Sequence, residues 1–102
     1  MEYDELVDDL LARHGDCERT QMMGMPSLKR NGKLVLGYRS DEDAVVFKLA
    51  DPVAHGEALK LAGAHLFHPG GGERVFKEWV VIPREHAAAW PDFAERAITH
   101  AG

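Results

Sequence analysis

Gly70, Gly71 and Gly72 lie in HPGGGERVFKEW, with basic residues nearby, a composition that can cradle a phosphate on backbone amides. Such a loop works when it follows a strand and opens a helix, because the free amides of the helix N-terminus then point at the anion. Here the glycines precede RVFKEWVVIP, which reads as a strand, and neither GxGxxG nor a GKS/GKT motif is present. A proline and three glycines between two strands fit a flexible hairpin connection, so a connection is what we expect there. Metal chemistry has similarly little to stand on. His65 and His68 are three residues apart, which in a strand puts them on opposite faces, and the six histidines and single cysteine contain no HExxH. Surface or turn histidines are expected, with no metal and no cofactor. Cys17 near His14 offers a thiol and a base, but they fall across a helix end without a third group to orient them. Met22, Met23 and Met25 could supply soft ligands; beside Pro26 they are expected to fill irregular core space instead. No spacing assembles a nucleophile, a base and an orienting group, and the chain is expected not to be an enzyme.

Binding chemistry is better represented. Lysine stands inside two apolar strands, at Lys48 and Lys77, and strand alternation places Lys77 on one face with Trp79. Open to solvent, a tryptophan beside lysine forms a recognition surface for a protein partner or a second copy of the chain. The competing reading has edge-strand lysines discouraging aggregation, with Trp79 in the core. A second candidate surface is Lys29, Arg30, Lys33 and Arg39, a basic stretch with no acid among its residues that could contact nucleic-acid phosphates. The net charge of −5 disfavours tight non-specific binding to nucleic acid, which remains the alternative; a solvated strand and turn is the preferred account of the stretch.

These residues must be held by elements that the hydrophobic pattern outlines. Tyr3, Leu6, Val7, Leu10 and Leu11 recur at helical spacing, with Asp4, Glu5, Asp8 and Asp9 opposite, and Gly15 is expected to end that helix. Lys33 to Tyr38 and Ala44 to Leu49 read as two strands joined by a polar loop. Asn31-Gly32 is a tight-turn signal, which predicts a strand before it: either Ser27 to Arg30, or a longer one from about Arg19 bent at Pro26. Asp51-Pro52 reads as the cap and first residue of a helix that buries Val53, Leu59 and Ala62 and stops at Gly63. Ala64 to His68 and Arg74 to Ile82 are two further strands, and Pro91 to His100 a last helix with Phe93, Ala94, Ala97 and Ile98 on one side. The order α, β, β, β, α, β, β, α predicts an α+β fold of two layers, a five-stranded antiparallel sheet flanked by helices.

A chain of 102 residues fits one domain spanning residues 1–102. An apolar share of 45% is too high for a disordered tail, so the domain is expected to fold alone. No run approaches the ~18 apolar residues of a membrane span, and the acidic MEYDELVDD is unlike the basic start of a signal peptide. A cytoplasmic protein is expected, and Cys17 alone permits no intramolecular disulfide.

TQMMGMPSLKRNGKLVLGYRSDEDAVVFKL resembles the N-terminal domain of TfoX and its relatives. Met23-Gly24 matches the family's methionine and glycine, Asn31-Gly32 its turn, and Lys48 its strand lysine; FKEWVVIP and a terminal helix containing Trp90 and Ala97 are similar to the end of those domains. YjbR-like proteins share some of the same look. The family's usual aromatic and double glycine are replaced around Met23-Gly24-Met25-Pro26, and no second domain is expected after Gly102. The resemblance implies a helix-flanked antiparallel sheet of the TfoX-N or secretion-chaperone-like kind, and a regulatory or protein-interaction role. A competence-type regulator acting on nucleic acid is the alternative it implies.

Overall fold

In the computed structural model, residues 1–68 and 75–100 are described; the glycine connection and the strand start expected at Arg74 lie outside them. The elements are α1 (Tyr3–Arg13), β1 (Cys17–Met22), β2 (Met25–Arg30), β3 (Lys33–Arg39), β4 (Ala44–Lys48), α2 (Pro52–Leu59), β5 (His65–Phe67), β6 (Phe76–Pro83), a 3-10 segment (Arg84–Ala89) and α3 (Trp90–Thr99). The strands form one antiparallel sheet in the order β1-β2-β3-β4-β6-β5, flanked by helices and open at both edges. The fold is therefore α+β, as the pattern of elements implies, with six strands among the described residues where five were expected.

The extra strand comes from a turn that composition hides. Met23 and Gly24 take φ of 50° and 79°, the same left-handed pair that Asn31 and Gly32 adopt at 50° and 80°. Two tight hairpins thus follow one another, and the segment from Arg19 folds back at Met23-Gly24 without bending at Pro26. Pairs alternate in hydrogen bonding along an antiparallel ladder. Counting from Met22↔Met25 at the turn, Gln21↔Pro26 is a non-bonded pair, and the β2–β3 ladder begins only at Ser27↔Gly37. Proline therefore costs this strand no hydrogen bond. Methionine, unlike asparagine, gains nothing from a left-handed turn, and Met23 is 58% exposed. Met23→Asn is expected to stabilise the fold by about 0.5–1 kcal/mol. A urea midpoint that stays level or falls, at constant slope, would contradict this.

Local chemistry starts and stops the helices. Glu2 and Glu5 form a reciprocal capping box at α1, with the Glu2 amide 3.0 Å from Glu5 Oε1. His14, one residue before the expected Gly15, is its C-cap. The Asp51 carboxylate accepts from the Ala54 amide at 3.2 Å, and Pro52 opens α2. The buried face of α2 differs from expectation. Ala54 and Ala58 are buried, while Val53 is 67% and Leu59 37% exposed. The alanines let α2 approach β6 closely, and that four-residue spacing turns Val53 outward.

Strand alternation divides the core. Leu6, Val7 and Leu10 of α1, Ala54 and Ala58 of α2, and Trp90, Phe93, Ala97 and Ile98 of α3 pack with Leu28, Leu36, Val45, Phe47, Val80 and Ile82 of the sheet. Met22, Ala44, Val46, Phe67, Trp79 and Val81 form a second, smaller cluster, with Met25, Leu34 and Phe76 against it. No described helix contributes to this second cluster. It marks the helix-free face of the sheet.

A polar node closes the sheet end opposite Lys48. Arg84 donates to Asp43 at 2.5 and 2.9 Å and to Glu2 at 2.9 and 3.0 Å, while the Tyr38 hydroxyl donates to Asp43 at 2.7 Å. Arg84 thereby ties the N-terminus and the β3–β4 loop to the end of β6. Its hydrogen bond, followed by that of Tyr38, holds the Asp43 carboxyl below the usual range.

Candidate interaction surface

Lys48 and Trp79 are direct cross-strand partners, followed by Val46↔Val81 one pair along the same face. Trp79 is only 8% exposed, whereas Lys48 is half-buried and borders a cleft of ≈ 90 Å³ at the sheet end that also reaches Lys33, Glu78, and Ala97 and His100 at the C-terminal end of α3. Lysine between apolar neighbours is tolerated here because β4 ends at Lys48, so its stem crosses apolar surface and its ammonium reaches water. Trp79 thus belongs to the core of the helix-free face, as the competing reading had it. The lysine beside it lies in a central strand, however, with β3 and β6 as neighbours.

Lys77 is exposed, and its carbonyl oxygen lies 2.7 Å from Nε2 of His55 on α2. The alternation read through β6 fails near this residue. Leu66 pairs with Val80 but Phe67 with Phe76, so one step on β5 spans four on β6. The irregularity brings Phe76 edge-on to Phe67, ring centroids 5.7 Å apart, and into the cluster of Trp79, although strict alternation assigns Phe76 and Trp79 to opposite faces.

The basic stretch is dispersed and neutralised. Lys29 pairs with Glu18 at 3.5 Å, Arg30 with Asp16 at 2.8 Å, and Arg39 with Asp41 at 2.8 Å and Glu42 at 3.0 Å. Arg30 also donates to the Ile98 carbonyl at 2.8 Å, capping the C-terminal end of α3. Lys33 and Arg39 stand at opposite ends of β3. The partners respond as paired charges do: the hydrogen bond from Arg30 lowers the Asp16 pKa, and that from Arg39 lowers the Asp41 pKa. Arg13, Arg19, Arg84 and Arg96 are ion-paired too, so each described arginine has a carboxylate. Among the described residues, no carboxylate lies within ion-pair distance of Lys48 or Lys77.

The other candidate chemistry is not brought together. His14 Nε2 faces Glu95 at 3.0 and 3.1 Å, and Cys17 is buried, where desolvation pushes its thiol pKa up. A raised thiol pKa is the opposite of an activated nucleophile. His65 lies in β5 with its ring against Glu42, and His68 follows the strand. Among the described residues, no three His, Cys, Asp or Glu side chains converge as metal ligands, and no helix is long and apolar enough to cross a membrane. Met22 and Met25 face each other across the hairpin and enter the helix-free cluster, the packing role expected of them, whereas Met23, expected to pack with them, is exposed at the turn.

Phe67, Phe76 and the bond from His65 to Glu42 escaped the reading of the sequence. AVVFK stands out as a short apolar run, but no pattern in GAHLF announces which residue of a short edge strand will meet which residue of β6. No family model matches the chain, and no curated protein or solved structure matches it.

Proposed function

We propose that the chain is a non-enzymatic regulatory or interaction module of the TfoX N-terminal type, acting in the cytoplasm. It holds a protein partner, or a second copy of itself, on the helix-free face around Lys48 and Trp79. The observation that carries this reading is the place of Lys48: each described arginine and Lys29 are matched by a carboxylate, and of the lysines without one among the described residues, Lys48, Lys60 and Lys77, it is Lys48 that pairs across the sheet with Trp79 of the apolar cluster. A cation beside a tryptophan at the border of an apolar cluster is the composition of a binding surface, with the lysine supplying orientation and the apolar cluster supplying affinity. The same pairing weakens the nucleic-acid reading, since cations already matched by carboxylates release few counterions on meeting phosphate.

Light scattering of the purified chain tests this, with and without short duplex DNA, at low and physiological salt. The expected result is self-association indifferent to DNA that Lys48→Glu weakens about tenfold or more, equivalent to roughly 1.4 kcal/mol. A complex with DNA that dissolves on adding salt would replace this reading with the nucleic-acid one. A wild-type monomer sends the same Lys48→Glu comparison to complexes with other proteins.

A further inference from the structure

His65 presents both ring nitrogens to oxygen atoms that can only accept. Nε2 lies 2.7 Å from Glu42 Oε1, and Nδ1 lies 2.9 Å from the Leu66 carbonyl oxygen. A neutral imidazole owns one N–H and can satisfy one of these contacts; the imidazolium owns two and satisfies both. His55 engages one carbonyl through Nε2 at 2.7 Å, and His86 engages one through Nε2 at 2.8 Å with Glu85 Oε1 3.7 Å from the same nitrogen. Of these three, His65 alone has an acceptor among the described residues at each ring nitrogen.

The position of the contact gives it reach. Glu42 lies in the loop between β3 and β4, and His65 on the edge strand β5, with β4 and β6 between them in the sheet. Arg39, at the end of β3, pairs with Glu42 at 3.0 Å and with Asp41 at 2.8 Å, and its guanidinium lies 5.3 Å from the centre of the Phe67 ring. Arg39, Glu42 and His65 therefore form a chain of alternating charge across the helix-free side, above Phe67. The charged groups acting on His65 are Glu42, which favours its protonation, and Arg39, which opposes it.

We propose that His65, Glu42 and Arg39 form a proton-operated clasp over the Phe67 end of the helix-free face, held by both ring contacts while His65 is charged and loosened when it is neutral. Deprotonation leaves a ring lone pair facing an oxygen and removes a charge-assisted bond, so one of the two contacts must open. Burial works to lower the His65 pKa, but the hydrogen bonds from the ring to Leu66 and Glu42 outweigh it and the net direction is upward. For a group raised on folding, the stabilisation is complete below the unfolded value of about 6.5 and is lost as pH rises through the folded value. The clasp accordingly loosens on the alkaline side, and the Phe67 end of the apolar cluster becomes accessible there. Its role in regulation rests on the proposed interaction at that face; the clasp itself is a property of the free chain.

Nuclear magnetic resonance on the isotopically labelled free chain tests it. The expected result is that both His65 ring nitrogens carry protons in mildly acidic solution. The Glu42 amide and the Phe67 ring signals should shift with the same midpoint as His65, on the alkaline side of an ordinary histidine. Glu42→Gln keeps an acceptor but removes the charge, and should move that midpoint to lower pH. His65→Gln should abolish the shared transition at Glu42 and Phe67. A single neutral tautomer throughout mildly acidic and neutral pH, or a midpoint unmoved by Glu42→Gln, overturns the clasp. If the clasp titrates and the chain associates with nothing, the interaction reading fails while the clasp stands; association without the titration has the reverse meaning.

Discussion

Trp90→Ala is expected to lower the stability of the fold by about 3–5 kcal/mol, a large part of what a domain of this size commands. Trp90 is wholly buried at the start of α3. Its indole N–H donates to the Ile82 carbonyl at 3.1 Å, and the Arg84 guanidinium lies 5.8 Å from its ring. One side chain thus joins the last helix to the end of β6 and to the polar node above it. Truncation leaves a cavity and an unpaired carbonyl together. Trp90→Phe separates these effects: the ring fills most of the space, and the remaining loss, about 1–3 kcal/mol, reports the orphaned acceptor with the residual void. Urea unfolding of both variants measures the difference. An alanine variant within 1 kcal/mol of the original would mean that neighbouring side chains collapse into the site and that Trp90 anchors nothing.

Gly37→Ala should be costly for the opposite reason, excess of matter. A Cβ built on Gly37 meets Ser27 Oγ at 2.9 Å, the Pro26 carbonyl oxygen at 3.4 Å and Met25 Cε at 3.6 Å. Ser27 is buried, and its hydroxyl donates to the Met25 carbonyl at 3.0 Å, so it cannot move aside without losing that bond. A loss of roughly 1–3 kcal/mol is expected from the forced shift. The pair Ser27→Ala with Gly37→Ala carries the decisive comparison. Removing Oγ makes room for the new methyl, so the double variant should be more stable than the sum of the single losses implies. Strict additivity of the two losses would show that Ser27 is not what makes Gly37 a glycine.

How far the fold was legible can be traced residue by residue. α1 and α3 announce themselves because their apolar residues keep helical spacing against a charged opposite face. β4 does so because AVVF is a short apolar run bounded by polar residues, rich in the residues that strands favour. The second hairpin was hidden because its turn uses methionine where asparagine is the usual signal; glycine alone is ambiguous between turn and bulge. In α2 the expected burial chose the largest apolar residues, but a short helix laid close on a strand buries alanines and leaves Val53 in water. At the candidate site, Lys48 inside an apolar strand was legible, but its pairing with Trp79 and the face of Phe76 were not, because strand order and register, including a shift of several residues, leave no mark in composition. The pairing of Lys29, Arg30 and Arg39 escaped for a related reason. Two of their partners, Asp16 and Glu18, lie upstream across a hairpin, and charge counted along a linear window cannot see them.

The strand order also sets a timetable for the growing chain. β1 to β4 pair in sequence, each with the neighbour just made, and so can assemble as they leave the ribosome. The remaining side of β4 has to wait. Its partner β6 pairs Lys48 with Trp79 and Ala44 with Pro83, and α2 and β5 are synthesised in between. During that interval AVVFK, destined for burial on both faces, is an apolar edge with unsatisfied backbone groups, the kind of segment that pairs with a neighbouring molecule when its own partner is late. Lys48, which ends the strand, then places a charge at the edge while it is bare, so the same residue that marks the finished surface also guards the unfinished one.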